Sequence, residues 1–248
     1  MTRQHSRVHG IGRVVLAVGL AAVPAVAGPD GPVAISADAE SMLKRTLGVE
    51  ALPAAPGGGR ELFESVLASD AFRSGSVGPF DVHVLVASGG SAGADAEKVR
   101  DKVLATLAPA SALVSRLWAG GGEGLISATR FPVVIAADGS DYGQLVALLD
   151  HCERAGYSGW SLANTLDTPE IRSAEVARTW EVQVFNLAAA PIASRGDAWL
   201  QHGVGYYSLA FVANRALGRG AWGLVPPWLS SGLTDEFDIA AYGEAWVG

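Results

Sequence analysis

Hydrophobic positions along the chain change between two periodicities from about residue 80 onward, and this change predicts the order of the elements. Three runs of β-branched and aromatic residues have the character of strands: residues 80–87, 130–137 and 181–187. Four segments carry apolar residues three and four positions apart, as helices do: residues 95–118, 142–155, 199–217 and 226–238. The order predicts an α/β (α+β) fold, with a small mixed sheet of at least three strands and helices packed on it.

The first 27 residues have the pattern of a secretory signal peptide. Three arginines precede an apolar run, and Ala25-Val26-Ala27 before Gly28 forms a cleavage signal. The apolar run is too short to cross a bilayer, and Pro24 interrupts it. We therefore expect an exported protein, periplasmic or extracellular, cleaved near Ala27 and not membrane-spanning in its mature form.

The remaining chain divides by composition. Residues 28–60 are rich in Ala, Pro and Gly and predict a tether, although residues 38–47 could form a short helix. Residues 61–79 predict a linking helix and a turn, and residues 80–248 form the main domain.

The net charge disfavours one class of partner, and the cysteine content excludes an intramolecular disulfide. The formal net charge is −7, and removal of the three signal-peptide arginines leaves 15 basic against 25 acidic residues. A chain this acidic repels nucleic acid, so we expect no nucleic-acid partner. Cys152 is the only cysteine, which rules out an intramolecular disulfide, and we expect a thiol packed in a helix. The oligomeric state stays open.

The helix of residues 199–217 is predicted to be buried. Leu200, Val204, Tyr207 and Phe211 form one apolar stripe. A glycine in a helix interior costs about 1 kcal/mol relative to alanine, so the two glycines at 203 and 205 predict close approach by other elements. A histidine in such a helix is commonly a hydrogen-bonded core residue, which is one interpretation of His202.

A second interpretation comes from two phrases, HGVGY at residues 202–206 and PPWLSSGLTDEFD at residues 226–238. They resemble the core of secreted bacterial gluzincin-type zinc peptidases, which read HExxH and, about two dozen residues later, a phrase like PPWLxEGLAEYFE. The order of elements over residues 80–240 is similar as well. The resemblance implies a zincin-like core in which the strand before the zinc helix lies at the sheet edge and pairs with extended peptide. Members of the group continue into further helices, so the chain is expected to be truncated at its C-terminus relative to them.

The residues that carry the chemistry of those enzymes are replaced here. Gly203 stands for the glutamate that acts as general base, Tyr206 for the second histidine, and Ser231 for the third-ligand glutamate. His202 is the only retained ligand position. A catalytic zinc needs three protein ligands, so the sequence predicts no catalytic residue and no zinc at these positions.

Three functions follow from this combination. The leading hypothesis is an exported, catalytically inactive metallopeptidase-like domain that binds a peptide or protein. An alternative is a weak metallohydrolase with a displaced metal site that includes His202 and Asp235 or Glu236. The other alternative is a purely structural exported protein whose former cleft is filled by Tyr206, Tyr207 and Trp228.

Overall fold

The computed structural model of the protein describes residues 34–49, 59–87, 92–119, 130–154, 160–162, 170–176, 180–188, 197–218 and 221–245. The predicted signal peptide and its cleavage site lie outside this part of the chain, as do residues 28–33 and 50–58 of the predicted tether. Within it lie six α-helices: α1 (Ala37–Leu47), α2 (Gly59–Leu67), α3 (Ala92–Ala119), α4 (Gly139–Arg154), α5 (Asp197–Leu217) and α6 (Pro227–Tyr242). A short 3₁₀ helix, Ala221–Leu224, joins α5 to α6.

Six strands among the described residues form one mixed sheet: β1 (Phe72–Val77), β2 (Phe80–Leu85), β3 (Phe131–Ala136), β4 (Trp160–Leu162), β5 (Ile171–Val176) and β6 (Trp180–Asn186). Their order across the sheet is β1-β2-β3-β6-β5-β4. The central strands β2, β3 and β6 are parallel, whereas β1, β5 and β4 are each antiparallel to the strand they pair with. The predicted α/β class and mixed sheet are confirmed.

The strand before α5 does not lie where the resemblance placed it. β6 was expected at the sheet edge, but it is hydrogen-bonded to β3 on one side and to β5 on the other. Both backbone edges of β6 are therefore used by neighbouring strands. Addition of a peptide strand to β6 would require β5 to leave first.

Helices cover both faces of the sheet. One face packs against α1, α2 and α4, with Met42, Phe63 and Leu148 fully buried between them. Cys152 is buried in α4, as predicted. The other face packs against α3, α5 and α6 through residues that include Phe131 and Phe185. Each of the six residues of β3 is buried, as expected for a strand covered on both faces.

The region expected to be a tether contributes to this core. Residues 37–47 form α1, which begins after Ser36, whose side chain caps Ala39 N–H, and ends at Gly48 in the left-handed region. Met42 and Leu43 are fully buried. The Arg45 guanidinium binds Asp141 of α4 at 2.6 Å. The helix is thus packed onto the domain, because two large apolar residues outweigh an Ala-rich composition.

Two further observations concern helices. Pro109 does not break the third helix, which continues from Ala92 to Ala119. In the part of the chain that the structure describes, no helix combines the length and apolar character needed to cross a membrane.

Candidate functional site between α5 and α6

The helices α5 and α6 form the centre of the candidate site, and their packing follows from local sequence. The predicted stripe Leu200, Val204, Tyr207 and Phe211 is buried against the sheet. α6 begins at Pro227, where a missing N–H leaves no hydrogen bond unmade, and ends at Gly243 in the left-handed region. A short connection returns the chain, so α6 lies against α5.

The two glycines of α5 make the close approaches that the sequence predicted. A Cβ at Gly205 would lie 2.8 Å from Phe237 Cδ1 and 3.3 Å from Asp238 Oδ1. A Cβ at Gly203 would lie 3.0 Å from both Ile171 Cδ1 and Phe185 Cε1. Gly205 therefore lets α6 come close to α5, and Gly203 lets α5 come close to the sheet.

The positions of the peptidase phrase serve packing in this structure. Gly203 faces side chains of β5 and β6, as just described. The ring of Tyr206 packs edge-on against Tyr207 and Trp222, with centroid distances of 5.4 and 5.5 Å. Ser231 is exposed on α6. His202 alone supplies a good nitrogen donor, so these four positions do not fit a zinc ion.

His202 instead faces the second half of α6. Its Nδ1 lies 2.8 Å from Asp238 Oδ2. His202, Asp235 and Asp238 each offer a ligand atom, and these atoms all lie within 4.8 Å of one another. We call these three residues the His202 cluster. It contains Asp235 of the displaced site considered from sequence, whereas Glu236 is exposed and does not belong to it.

Asp238 and Tyr242 were not singled out from the sequence, although one signal for them exists. Residues 235, 238 and 242 are spaced three and four apart, so they share one face of α6. The spacing shows that the three residues share a face, but it does not show which turn of α6 lies opposite His202. Ser231 lies seven residues before Asp238, a rise of about 10 Å along the helix axis.

Two polar atoms at this place lack hydrogen-bond partners. Asp238 is 2% exposed, and its Oδ1 is buried without a partner, as is the hydroxyl of Tyr242. Burial, together with the nearby Asp238 carboxylate, raises the pKa of Tyr242 above its ordinary value. The phenol is therefore neutral at physiological pH.

A second polar cluster lies at β1 and β2, and each carboxylate oxygen in it has a hydrogen-bond donor. Asp81 of β2 accepts hydrogen bonds from Arg130 Nε at 2.8 Å and from Ser76 Oγ at 2.6 Å. Burial alone would raise the pKa of Asp81, but these two donors hold it below its ordinary value. We call Ser76, Asp81 and Arg130 the Asp81 cluster.

Beside the Asp81 cluster, Ser74 Oγ and His83 Nδ1 lie 2.8 Å apart across β1 and β2. Burial lowers the pKa of His83 to about 4, although the Asp81 charge opposes this effect. The imidazole is therefore neutral at physiological pH.

The end of α5 and the start of α6 expose large apolar side chains. Leu224 is 77% exposed and Trp228 is 75% exposed, so Trp228 does not fill a cleft. The last-helix residues Leu229 and Leu233 are also exposed, whereas Phe237 is buried. We call the exposed set the apolar ledge: Leu217, Leu224, Trp228, Leu229 and Leu233.

Comparison of the chain with protein-family models, with curated proteins and with solved structures found no match.

Proposed function

We propose that the protein is an exported α/β domain that binds a polypeptide through the apolar ledge and does not cleave it. The observation that carries this proposal is the exposure of Leu224 and Trp228. A Trp side chain placed in water leaves a large apolar area uncovered, and Trp is enriched among the residues that dominate binding energy at interfaces.

The apolar ledge concentrates exposed apolar residues in one stretch of the chain. Among the described residues, seven large hydrophobic side chains are exposed, and five of them lie between Leu217 and Leu233. Contiguous apolar surface marks interaction sites, whereas single exposed apolar residues are normal. The other two exposed residues, Val49 and Ile239, lie outside this stretch and are single exposed apolar residues.

The partner we propose is a polypeptide with apolar side chains. The net charge of −7 disfavours nucleic acid. Strand addition to β6 is not available, because β3 and β5 occupy both of its edges. The apolar ledge therefore takes the place of the sheet edge as the proposed binding surface.

Absence of cleavage is proposed from the packing of α5. Gly203 carries no group that can move a proton, and its space is bounded by Ile171 and Phe185. Tyr206 is held among aromatic rings. In the gluzincin group, a zinc ion held by three protein ligands activates a water molecule, and a glutamate takes its proton. At the corresponding positions of this protein, neither the three ligands nor the base is present.

The test measures binding of peptide libraries to the purified protein and to two matched variants. Apolar peptides are expected to bind the wild type, and Trp228→Ala should weaken that binding by about 30-fold, the effect of one dominant interface residue. Ile239→Ala, which removes an exposed apolar side chain of α6 outside the apolar ledge, should leave binding unchanged. Absence of peptide binding, or equal binding by Trp228→Ala, would favour a purely structural role.

A further inference from the structure

The His202 cluster has the composition and compactness of a metal site that differs from the one the sequence resemblance implies. It combines one imidazole with two carboxylates, and their ligand atoms lie within 4.8 Å of one another. Nitrogen and oxygen ligands bind first-row ions at about 2.0–2.2 Å, which places neighbouring ligands roughly 3–4 Å apart. Small side-chain rotations would bring the cluster to that geometry.

The two supporting helices fix these side chains from different directions. Asp235 and Asp238 lie one turn apart on α6, and His202 reaches them from α5. Gly205 permits the approach, because a Cβ there would lie 3.3 Å from Asp238 Oδ1. The cluster therefore depends on the packing of two helices rather than on a loop.

The unpartnered atoms are an independent observation that points to a missing ligand. Asp238 is 2% exposed, yet its Oδ1 has no hydrogen-bond partner. A buried polar atom left without a partner costs about 1–3 kcal/mol. The buried Tyr242 hydroxyl also lacks a partner and lies one turn further along the same face. A cation with its bound water would provide partners for these atoms.

Charge adds a further argument. Two carboxylates held within 4.8 Å of each other repel, and the repulsion is strongest where one of them is removed from water. A divalent cation offsets that repulsion, whereas the single imidazole of His202 offsets it only when it is protonated.

We infer that His202, Asp235 and Asp238 bind one divalent transition-metal ion between α5 and α6. Imidazole suits Zn²⁺ and its first-row neighbours, whereas Ca²⁺ and Mg²⁺ prefer ligand sets made only of oxygen. The site shares His202 with the peptidase phrase but uses neither Tyr206 nor Ser231. It is separate from the proposed binding of polypeptide, which depends on the apolar ledge.

The experiment is calorimetric titration of Zn²⁺ into the purified protein after treatment with chelator and dialysis. The wild type should bind one equivalent. Asp235→Asn should weaken binding at least about tenfold, because one ligand is lost from a three-ligand site. Asp235 is half-buried and its side chain makes no hydrogen bond to the described residues, so the variant should fold, which circular dichroism checks.

Glu236→Gln is the matched control, since it removes the same charge from the adjacent, exposed residue of α6. It should bind Zn²⁺ as the wild type does, and excess Mg²⁺ should not compete. Failure of the wild type to bind one equivalent would overturn the inference, as would equal effects of Asp235→Asn and Glu236→Gln. Trp228→Ala should retain Zn²⁺ binding, so failure of the metal site and failure of the apolar ledge are distinguishable.

A second readout uses cobalt in place of zinc. Co²⁺ bound by His202 should give visible absorption bands that His202→Gln lacks. If His202→Gln keeps the wild-type spectrum, the imidazole is not a ligand and the inference is wrong.

Discussion

The Asp81 cluster and the His202 cluster each contain an aspartate of low exposure, but they differ in whether both of its carboxylate oxygens have hydrogen-bond partners. In the Asp81 cluster, both carboxylate oxygens accept hydrogen bonds, from Arg130 and from Ser76. In the His202 cluster, one oxygen of Asp238 binds His202 and the other has no partner. When every carboxylate oxygen has a partner, the hydrogen bonds are explained by stability alone. A buried oxygen without a partner costs free energy, and a ligand that binds it would remove that cost.

The difference also concerns which elements build each cluster. The Asp81 cluster joins adjacent strands, whose spacing is fixed by backbone hydrogen bonds. The His202 cluster joins two helices whose spacing is set by side-chain contacts and by Gly205. Changes in packing should therefore disturb the His202 cluster more than the Asp81 cluster.

The largest effect is expected for Gly205→Ala. Its methyl group would lie 2.8 Å from Phe237 Cδ1, so α6 has to move outward, at a cost of about 2 kcal/mol in the free energy of unfolding. Gly232→Ala is the control, because nothing lies within 4 Å of a Cβ there and the higher helix propensity of alanine should stabilise the protein. Urea denaturation measures the free energy of unfolding of both variants. If Gly205→Ala leaves it unchanged, α5 and α6 have room for a methyl group between Gly205 and Phe237.

Loss of the Asp81 cluster should lower the free energy of unfolding by less than Gly205→Ala does. Asp81→Ala leaves Arg130 and Ser76 without their acceptor and should lower the free energy of unfolding by about 1.5 kcal/mol. Asp101→Ala removes the exposed partner of Arg100 and should change the free energy of unfolding by less than about 0.5 kcal/mol. Equal effects of the two substitutions in urea denaturation would mean that the Asp81 cluster contributes no more than a surface ion pair.

Acidification should weaken the strand pair beside the Asp81 cluster through His83. Burial lowers the pKa of His83 from 6.5 to about 4, so between these values the unfolded chain binds a proton that the folded protein does not. The free energy of unfolding should fall as the pH decreases from 6.5 to about 4. His83 is only half-buried, so its contribution is smaller than the full shift would give, and His83→Gln should remove roughly 1 kcal/mol of that fall, which denaturation at several pH values measures. An unchanged pH profile would contradict the assigned burial.

The smallest effect is expected for Tyr242→Phe in the absence of metal. The substitution removes a buried hydroxyl that has no partner, so the free energy of unfolding should stay within about 0.5 kcal/mol or rise. Thermal or urea denaturation of chelator-treated protein measures it. A loss above about 1 kcal/mol would show that the hydroxyl has a partner, and the contrast between the two clusters would disappear.

Sequence periodicity predicted the elements that are strongly apolar and missed those that are not. The central strands β3 and β6 and the helices α5 and α6 were predicted because their apolar residues are continuous or regularly spaced. β1, with the sequence FRSGSV, was missed because small polar residues dominate it. It is a strand because β2 pairs with it throughout its length. In this case, tertiary pairing overrides local propensity.

The candidate site was predicted only in part, for a geometric reason. His202 and Asp235 were recognised from residue type and helical face. Their partner Asp238 depends on which turn of α6 meets α5, and the resemblance to peptidases directed attention to Ser231 instead. The position of α6 along α5 is set by contacts between the two helices, such as Gly205 against Phe237. The pattern of residues within either helix does not reveal these contacts.

The central position of β3 has a consequence for how the chain reaches its native state. β1 with β2 and β5 with β6 are neighbours in sequence, whereas β3 joins its partners only after the crossovers through α3 and α4. Such long-range parallel pairing forms slowly. Until it forms, the apolar segment Phe131–Ala136 has no cover, and transiently exposed apolar surface promotes aggregation. We therefore expect refolding yield to fall steeply with protein concentration, as light scattering during dilution from denaturant would show.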